Sequence, residues 1–141
     1  MNYLFQSIMT KLSGSSLSNY VGGRIYLDEV PESESPVTFP YVTFFIVNNR
    51  QDDDFKSKAD DILIQFSLFS ASSGATEITT MYGYLKAVMD DADLSITGNT
   101  CVWCFRENLT TMIDDVLTSS QSDTTTRCRH WAVDYSIMVQ D

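Results

Sequence analysis

The chain contains three cysteines and one histidine, the residue types that most often bind metal ions or act in nucleophilic catalysis. Their order, C-x2-C followed by C-x-H, supplies the ligand count of a closed tetrahedral zinc site. These residues are Cys101, Cys104, Cys128 and His130. A zinc knuckle needs a tight turn between its first two cysteines, whereas Val102 and Trp103 favour an extended chain. Residues three apart on a strand point to opposite faces, so we expect no metal site and reduced cysteines.

A catalytic triad would also depend on His130, because it is the only histidine in the sequence. Its acidic neighbour on the same face of the predicted strand is Asp134, and no G-x-S-x-G motif supplies a nucleophile. The adjacent carboxylates of Asp60 and Asp61 would point to opposite sides of a strand, so they would not share a proton as a catalytic dyad. We therefore expect a protein that is not an enzyme and that binds no cofactor.

The net charge is −10, from 19 acidic and 9 basic residues, whereas a protein that grips nucleic-acid backbone is usually basic. The acidic residues are clustered. Each cluster is either a solvated loop that keeps the protein soluble or part of a surface that repels an anion. The clusters lie at residues 28–34, 52–54, 60–61, 90–93 and 114–115.

The length of 141 residues and the hydrophobic content of 43% predict one globular domain, residues 1–141. No apolar run approaches the ~18 residues of a membrane span, so we expect no membrane contact. The N-terminal segment lacks the basic region of a signal peptide, so we expect a cytosol-like compartment.

Residues 39–70 have the pattern of a β-hairpin. Two aromatic and β-branched segments, residues 39–47 and 62–70, are separated by a charged segment that should be a solvated tip. In the second segment the apolar residues alternate, which places them on one face of a strand. These residues are Ile62, Ile64, Phe66 and Leu68.

Two further segments, residues 3–12 and 76–90, have the spacing of amphipathic helices. Gly14 follows the first helix at a position typical of a helix C-terminus. The second helix ends in acids, which oppose the helix dipole, so we expect this end to fray or to face a partner. The helices should pack through Leu4, Ile8, Leu12, Ile78, Tyr82 and Leu85.

The C-terminal third predicts a second hairpin. The strand pattern that starts at residue 100 breaks at Glu107 and Asn108, which indicates a β-bulge, and then continues towards a polar tip. Residues 127–140 alternate as the closing strand, and residues 24–30 predict a short strand before Pro31. The fold class predicted is α+β, a mostly antiparallel sheet with two packed helices and protruding hairpins.

In this order and spacing, the chain resembles the tail-completion or tail-terminator family of long-tailed bacteriophages, the tail-to-head joining proteins. The resemblance covers nearly the whole chain. It is carried by the segments YLFQSIMTKL, GGRIYLDEVP, FPYVTFFIV, ILIQFSLFS with EITTMYGYLKAVM, and HWAVDYSIMVQD.

The resemblance implies a ring-forming virion protein, typically a hexamer, located at the neck of the tail and assembled in the host cytoplasm. Its partners would be other copies of itself, the tail tube protein and the head-tail connector or stopper protein. DNA would pass through the ring without specific binding, and an acidic channel would let it slide. The candidate residues for a subunit interface or channel lining are Asp52, Asp53, Asp54, Asp60, Asp61, Asp114 and Asp115.

Three alternatives remain open from the sequence. The chain could be another neck or tail-tube subunit, such as a stopper or connector. It could be a small metal-binding protein or enzyme that uses the cysteines and the histidine, or a monomeric module for a small ligand.

The hairpins around residues 48–61 and 107–127 are where we expect subunit contacts, because strand edges can pair across subunits.

Overall fold

The computed structural model describes residues 2–31, 37–51, 58–117 and 125–140. Within these ranges the chain forms three helices and five strands. In chain order they are α1 (Asn2–Leu12), α2 (Ser16–Tyr20), β1 (Ile25–Leu27), β2 (Tyr41–Gln51), β3 (Ala59–Ser70), α3 (Thr76–Met89), β4 (Thr100–Leu117) and β5 (Thr125–Gln140).

The five strands form one sheet in the order β1-β2-β3-β5-β4. β1 is parallel to β2, and the other neighbouring pairs are antiparallel. The two hairpins are therefore joined through β3 and β5, whose pairing runs from Ala59 opposite Gln140 to Ser70 opposite Arg129. The predicted α+β class with a mostly antiparallel sheet is confirmed.

The helices cover one face of this sheet. The alternating residues of β3 point into the core, where Phe66 stacks on Phe44 of β2 and meets the ring of Tyr135 edge-on. The predicted helix stripes are buried, except that Tyr82 is only half-buried and packs against Trp131. None of the helices in the described ranges is long and apolar enough to span a bilayer.

The two strands of the first hairpin are longer than the sequence predicts. β2 continues to Gln51 and β3 begins at Ala59, so much of the expected solvated tip is paired strand. These residues remain paired because β5 is hydrogen-bonded to β3 along the whole length of β3. The hydrophobic pattern of a single segment does not show which strand will lie beside it. In contrast, β1 ends at Leu27, before Asp28 with a left-handed φ of 68°, and is shorter than the predicted strand.

One helix, α2, is not predicted by the periodicity because it is only five residues long. Its N-terminus is capped by the Ser15 hydroxyl, which accepts a hydrogen bond from the Ser18 amide at 3.2 Å. The preceding Gly14 has a φ of +76°, which confirms that α1 ends at a left-handed residue.

β-Bulges interrupt the strand register at three places. The predicted bulge in β4 is confirmed, since the register shifts between Arg106 and Asn108 and leaves Glu107 as the extra residue. A second shift in β4 falls at Val102, and one in β2 falls at Val47. Each bulge changes which face the following side chains occupy, and this change determines the surfaces described below.

Candidate assembly surfaces

Asp60 and Asp61 begin β3 and point to opposite faces of the sheet, as expected for adjacent strand residues. Asp61 is on the helix-free face, where its Oδ1 accepts a hydrogen bond from the Ser136 hydroxyl at 3.0 Å. Asp60 is on the helix-covered side and lines a cleft with Tyr3 and Ile96. The two carboxylates therefore belong to separate surfaces.

Acids that are distant in sequence meet at this end of the molecule. Asp93 lines a second cleft, of about 490 Å³, and Tyr3 in the first turn of α1 borders both this cleft and the one that contains Asp60. Asp91 and Asp93 also border the start of β4 beside Trp103. The candidates Asp52, Asp53 and Asp54 lie outside the described residues.

The acid that closes α3 is held by partners within the chain. The Tyr135 hydroxyl donates a hydrogen bond to Asp90 Oδ1 at 2.5 Å, and Arg106 Nη1 lies 3.6 Å from Asp90 Oδ2. Arg106 also donates to the Tyr82 hydroxyl at 3.1 Å. Burial, followed by the hydrogen bond to Asp90, raises the pKa of Tyr135 well above its usual range. The end of α3 is therefore held at Asp90 by a tyrosine and an arginine of the strands and does not fray there, whereas the expectation that it faces a partner stays a prediction.

The acidic partner of the single histidine is not the residue that the sequence predicts. His130 Nδ1 lies 2.5 Å from Asp114 Oδ2 on β4, and its ring stacks on Phe69 with 4.3 Å between centroids. Asp134, the neighbour expected from spacing, instead accepts from the Gln65 amide at 3.0 Å. His130 Nε2 is buried and has no hydrogen-bond partner among the described residues. The side chain of Asp115 is not described.

The cysteines do not form one cluster. The bulge at Val102 places Cys101 and Cys104 on the same, helix-covered face, opposite Val139 and Ile137, so the expectation that they point apart is wrong. Cys128, opposite Asp114, is nine residues from Ile137 along β5, or about 30 Å at ~3.3 Å per residue. In the described part of the chain, no group of three or more His, Cys, Asp or Glu side chains has the geometry to hold a metal ion.

Cys104 is a packed core residue. Its thiol donates to the Met89 carbonyl at 3.3 Å, and burial, with the nearby Cys101, raises its pKa to about 12. A thiol with a pKa this high is protonated at neutral pH and is a poor nucleophile or metal ligand.

The β4–β5 hairpin extends beyond the rest of the sheet. β3 stops pairing at Ser70, opposite Arg129, whereas β4 and β5 remain paired as far as Leu117 and Thr125. Residues 114–117 and 125–128 therefore lie beyond the end of β3 as a two-stranded ribbon. Together with Ile113 and Arg129, which are level with Ser70 at its base, they are called the arm. A two-stranded ribbon is marginally stable in water, so this segment gains most from contact with another surface.

At the opposite end of β4, large apolar side chains are exposed on the helix-free face. Trp103 and Phe105 are 37% and 41% exposed, and their rings contact each other with 5.8 Å between centroids. Trp103 Nε1 donates to the Ser136 hydroxyl at 3.2 Å, which fixes the orientation of the indole. We call Trp103 and Phe105, with the adjoining groove that contains Asp61 and Glu107, the aromatic patch. The aromatic patch was not predicted from the sequence, although two aromatic residues two positions apart in a predicted strand were a signal for it.

The described residues thus offer an extended arm and an exposed aromatic pair as surfaces for contact. Comparison with families of known proteins gives a match to Tail completion protein gp17 over residues 6–140. The chain belongs to this family, so it is a structural component of a virion tail. The expected relationship to tail-completion proteins is confirmed.

The fold agrees with that of a chain from the virion of a native gene transfer agent particle. The TM-score is 0.72 over 95% of this chain and 92% of that chain, at 16% sequence identity. At this identity the comparison shows a shared fold. No curated protein matches the sequence.

Proposed function

We propose that the chain forms a closed ring of six copies that caps the tail tube, stops its polymerisation and joins the tail to the head connector. The observation that carries this proposal is the family match to tail completion proteins, which spans residues 6–140. The fold shared with a chain of a phage-like virion particle supports the same class of function. This role needs binding surfaces rather than catalysis.

The arm and the edge strand favour a role in assembly. β4 is an edge strand of 18 residues, and an exposed edge of this length tends to pair or pack with another chain. A ring requires two different contact surfaces on each subunit, because a heterologous contact closes only when its rotation returns to the start. The arm and the aromatic patch lie at opposite ends of β4 and provide two such surfaces.

We propose that the acids near the start of β4, at the same end of the sheet as the aromatic patch, face the channel through which DNA passes. Asp60, Asp91 and Asp93 lie around the first turn of α1 and the start of β4. Together with Asp52 and its neighbours Asp53 and Asp54, they would give the channel a negative potential that keeps phosphates from binding.

The capping role is tested by assembling particles without this protein and measuring tails by electron microscopy. Loss of a terminator should give tubes of variable and excessive length that do not attach to heads. Tails of normal length that fail only to attach to heads would instead identify a stopper or connector. Normal, attached tails would contradict both roles.

The channel is tested by replacing Asp60, Asp91 and Asp93 with Lys. Tails should keep their normal length, while genome ejection should be slower because the basic ring holds phosphates, and added salt should reduce the delay. Glu29→Lys, at an exposed acid outside this cluster, is the matched control for Asp93→Lys alone, because the two variants make the same change in charge. Ejection at the wild-type rate at every salt concentration would contradict an acidic channel.

A further inference from the structure

One face of the arm carries an exposed isoleucine, two bases and one acid. Ile113 lies opposite Arg129 in the register, and Arg127, two residues earlier on the same face, lies opposite Asp115. Arg129 is therefore the base of this face that has an apolar residue opposite it. Ile113 is 52% exposed, an unusual degree for an isoleucine in a paired strand. The face is continuous with the side on which Trp131 meets α3, but it extends beyond the last residue of β3.

The aromatic patch has the complementary chemistry. Its groove, of about 220 Å³, contains the carboxylates of Asp61 and Glu107 and one base, Arg50, whose Nη2 lies 4.0 Å from Asp61 Oδ2. Glu107 is the bulged residue of β4, and Trp103 is fixed by its hydrogen bond to Ser136. A rigid pair of aromatic rings is a typical anchor of a protein interface. The adjoining groove has more acids than bases, so it favours a partner that brings a base.

We infer that the arm of one copy docks on the aromatic patch of the next copy. Arg129 then lies against the carboxylates of Asp61 and Glu107, and Ile113 packs on the exposed ring of Trp103. The inference rests on the proposed ring and names the two surfaces that would close it.

The occupant is a second copy rather than the arm of the same chain. Arg129 and Met138, which is paired with Trp103, are nine residues apart on β5, about 30 Å at ~3.3 Å per residue. The two surfaces also lie on opposite faces of the sheet. Copies that each carry a charge of −10 repel one another, so their contact has to pair the few bases with acids.

Complementary charge reversals test this contact by sedimentation velocity over a range of concentrations. In Arg129→Glu the residues at positions 129 and 107 are both acidic, and in Glu107→Arg both are basic, so each variant alone should associate about tenfold or more weakly. An equimolar mixture should recover association to within a few-fold of wild type, because every arm can then meet a patch of opposite charge. A contact within one chain would show no recovery on mixing.

The matched control is Lys11→Glu, which makes the same change in charge at an exposed position of α1. It should associate like the wild type and should not be rescued by Glu107→Arg. Far-UV circular dichroism and thermal melting of every variant should match the wild type, because the substituted side chains lie on the surface.

A double variant, Trp103→Ala with Phe105→Ala, tests the apolar part of the patch and should also associate about tenfold or more weakly. If this variant and Arg129→Glu both form the wild-type assembly, the inferred contact is wrong, while a ring built through other surfaces stands. If they form that assembly but no longer attach to tail tubes, the patch binds the tube protein and the inference is again overturned. A wild-type chain that stays monomeric at high concentration and on tail tips overturns both the ring and the contact.

Discussion

The two faces of the same sheet differ sharply in how they are covered. On the helix-covered face, Ile64, Phe66 and Tyr135 are completely buried and pack against the helices. On the helix-free face, the same strands present a polar centre, where Gln65 bonds Asp134, and an exposed aromatic end at Trp103 and Phe105. Because alternate residues of one strand lie on the two faces, we expect stability and assembly to depend on different residues of the same strands. Substitutions should therefore separate the two properties.

The largest effect is expected from Leu85→Ala in α3. Leu85 is completely buried under the sheet, and its truncation should lower the free energy of unfolding by ~2–5 kcal/mol through lost burial and a new cavity. Denaturant melts measure the change. The control is Val102→Ala at an exposed bulge, which should change stability by less than about 0.5 kcal/mol. Similar losses of stability in Leu85→Ala and Val102→Ala would show that the two faces contribute equally to the free energy of unfolding.

The next largest loss of stability is expected from a substitution at the contact between the end of α3 and the sheet. Asp90→Ala leaves the Tyr135 hydroxyl without its acceptor, so the free energy of unfolding should fall by ~1–3 kcal/mol. Asp93→Ala, an exposed acid a few residues on, is the matched control and should be nearly neutral. Thermal and denaturant melts compare the two. Equal, small changes would mean that Asp90 is effectively solvated despite its contacts.

Alkaline pH should destabilise the helix-covered face. Cys104 has a pKa of about 12 in the folded chain and 9.0 as a free thiol, so the unfolded chain loses its proton first as the pH rises. Stability should be unaffected by this group below about pH 9 and should then fall by up to ~1.4 kcal/mol per pH unit until about pH 12. Cys104→Ala lacks this titrating group, so its stability should fall less steeply between about pH 9 and pH 12, by up to ~1.4 kcal/mol per pH unit. Parallel curves for the two proteins would contradict a buried, protonated thiol.

The smallest effect on assembly is expected from the residues that first suggested chemistry. His130→Ala and the three Cys→Ser substitutions should leave tail completion largely intact, because we expect this function to need binding surfaces and no reaction at these side chains. Attachment of tails to heads, counted by electron microscopy, measures the result. Loss of completion in a variant that still melts like the wild type would assign one of these residues a direct role, as would one equivalent of tightly bound zinc per chain.

Local periodicity was enough to identify most of the fold. The stripes of Leu4 and Ile8 in α1 and of Ile78 in α3, and the alternation of β3, are properties of neighbouring residues, and hydrophobic burial acts on them directly. The bulge at Glu107 was also visible as a break in alternation. The family could be identified from the order of these elements, because that order is shared along the whole chain.

Tertiary structure alone decided the partners of the polar residues. The hydrogen bond from Tyr135 to Asp90 and the pairing of His130 with Asp114 join residues that are distant in sequence, and strand order and register bring them together. The bulge at Val102 reversed the expected orientation of Cys101 relative to Cys104, since one inserted residue moves every following side chain to the other face. The sequence by itself determined which residues are buried in helices and strands, because burial follows local pattern. Which acids meet, and which aromatic residues remain uncovered, depended on long-range pairing that no local pattern encodes.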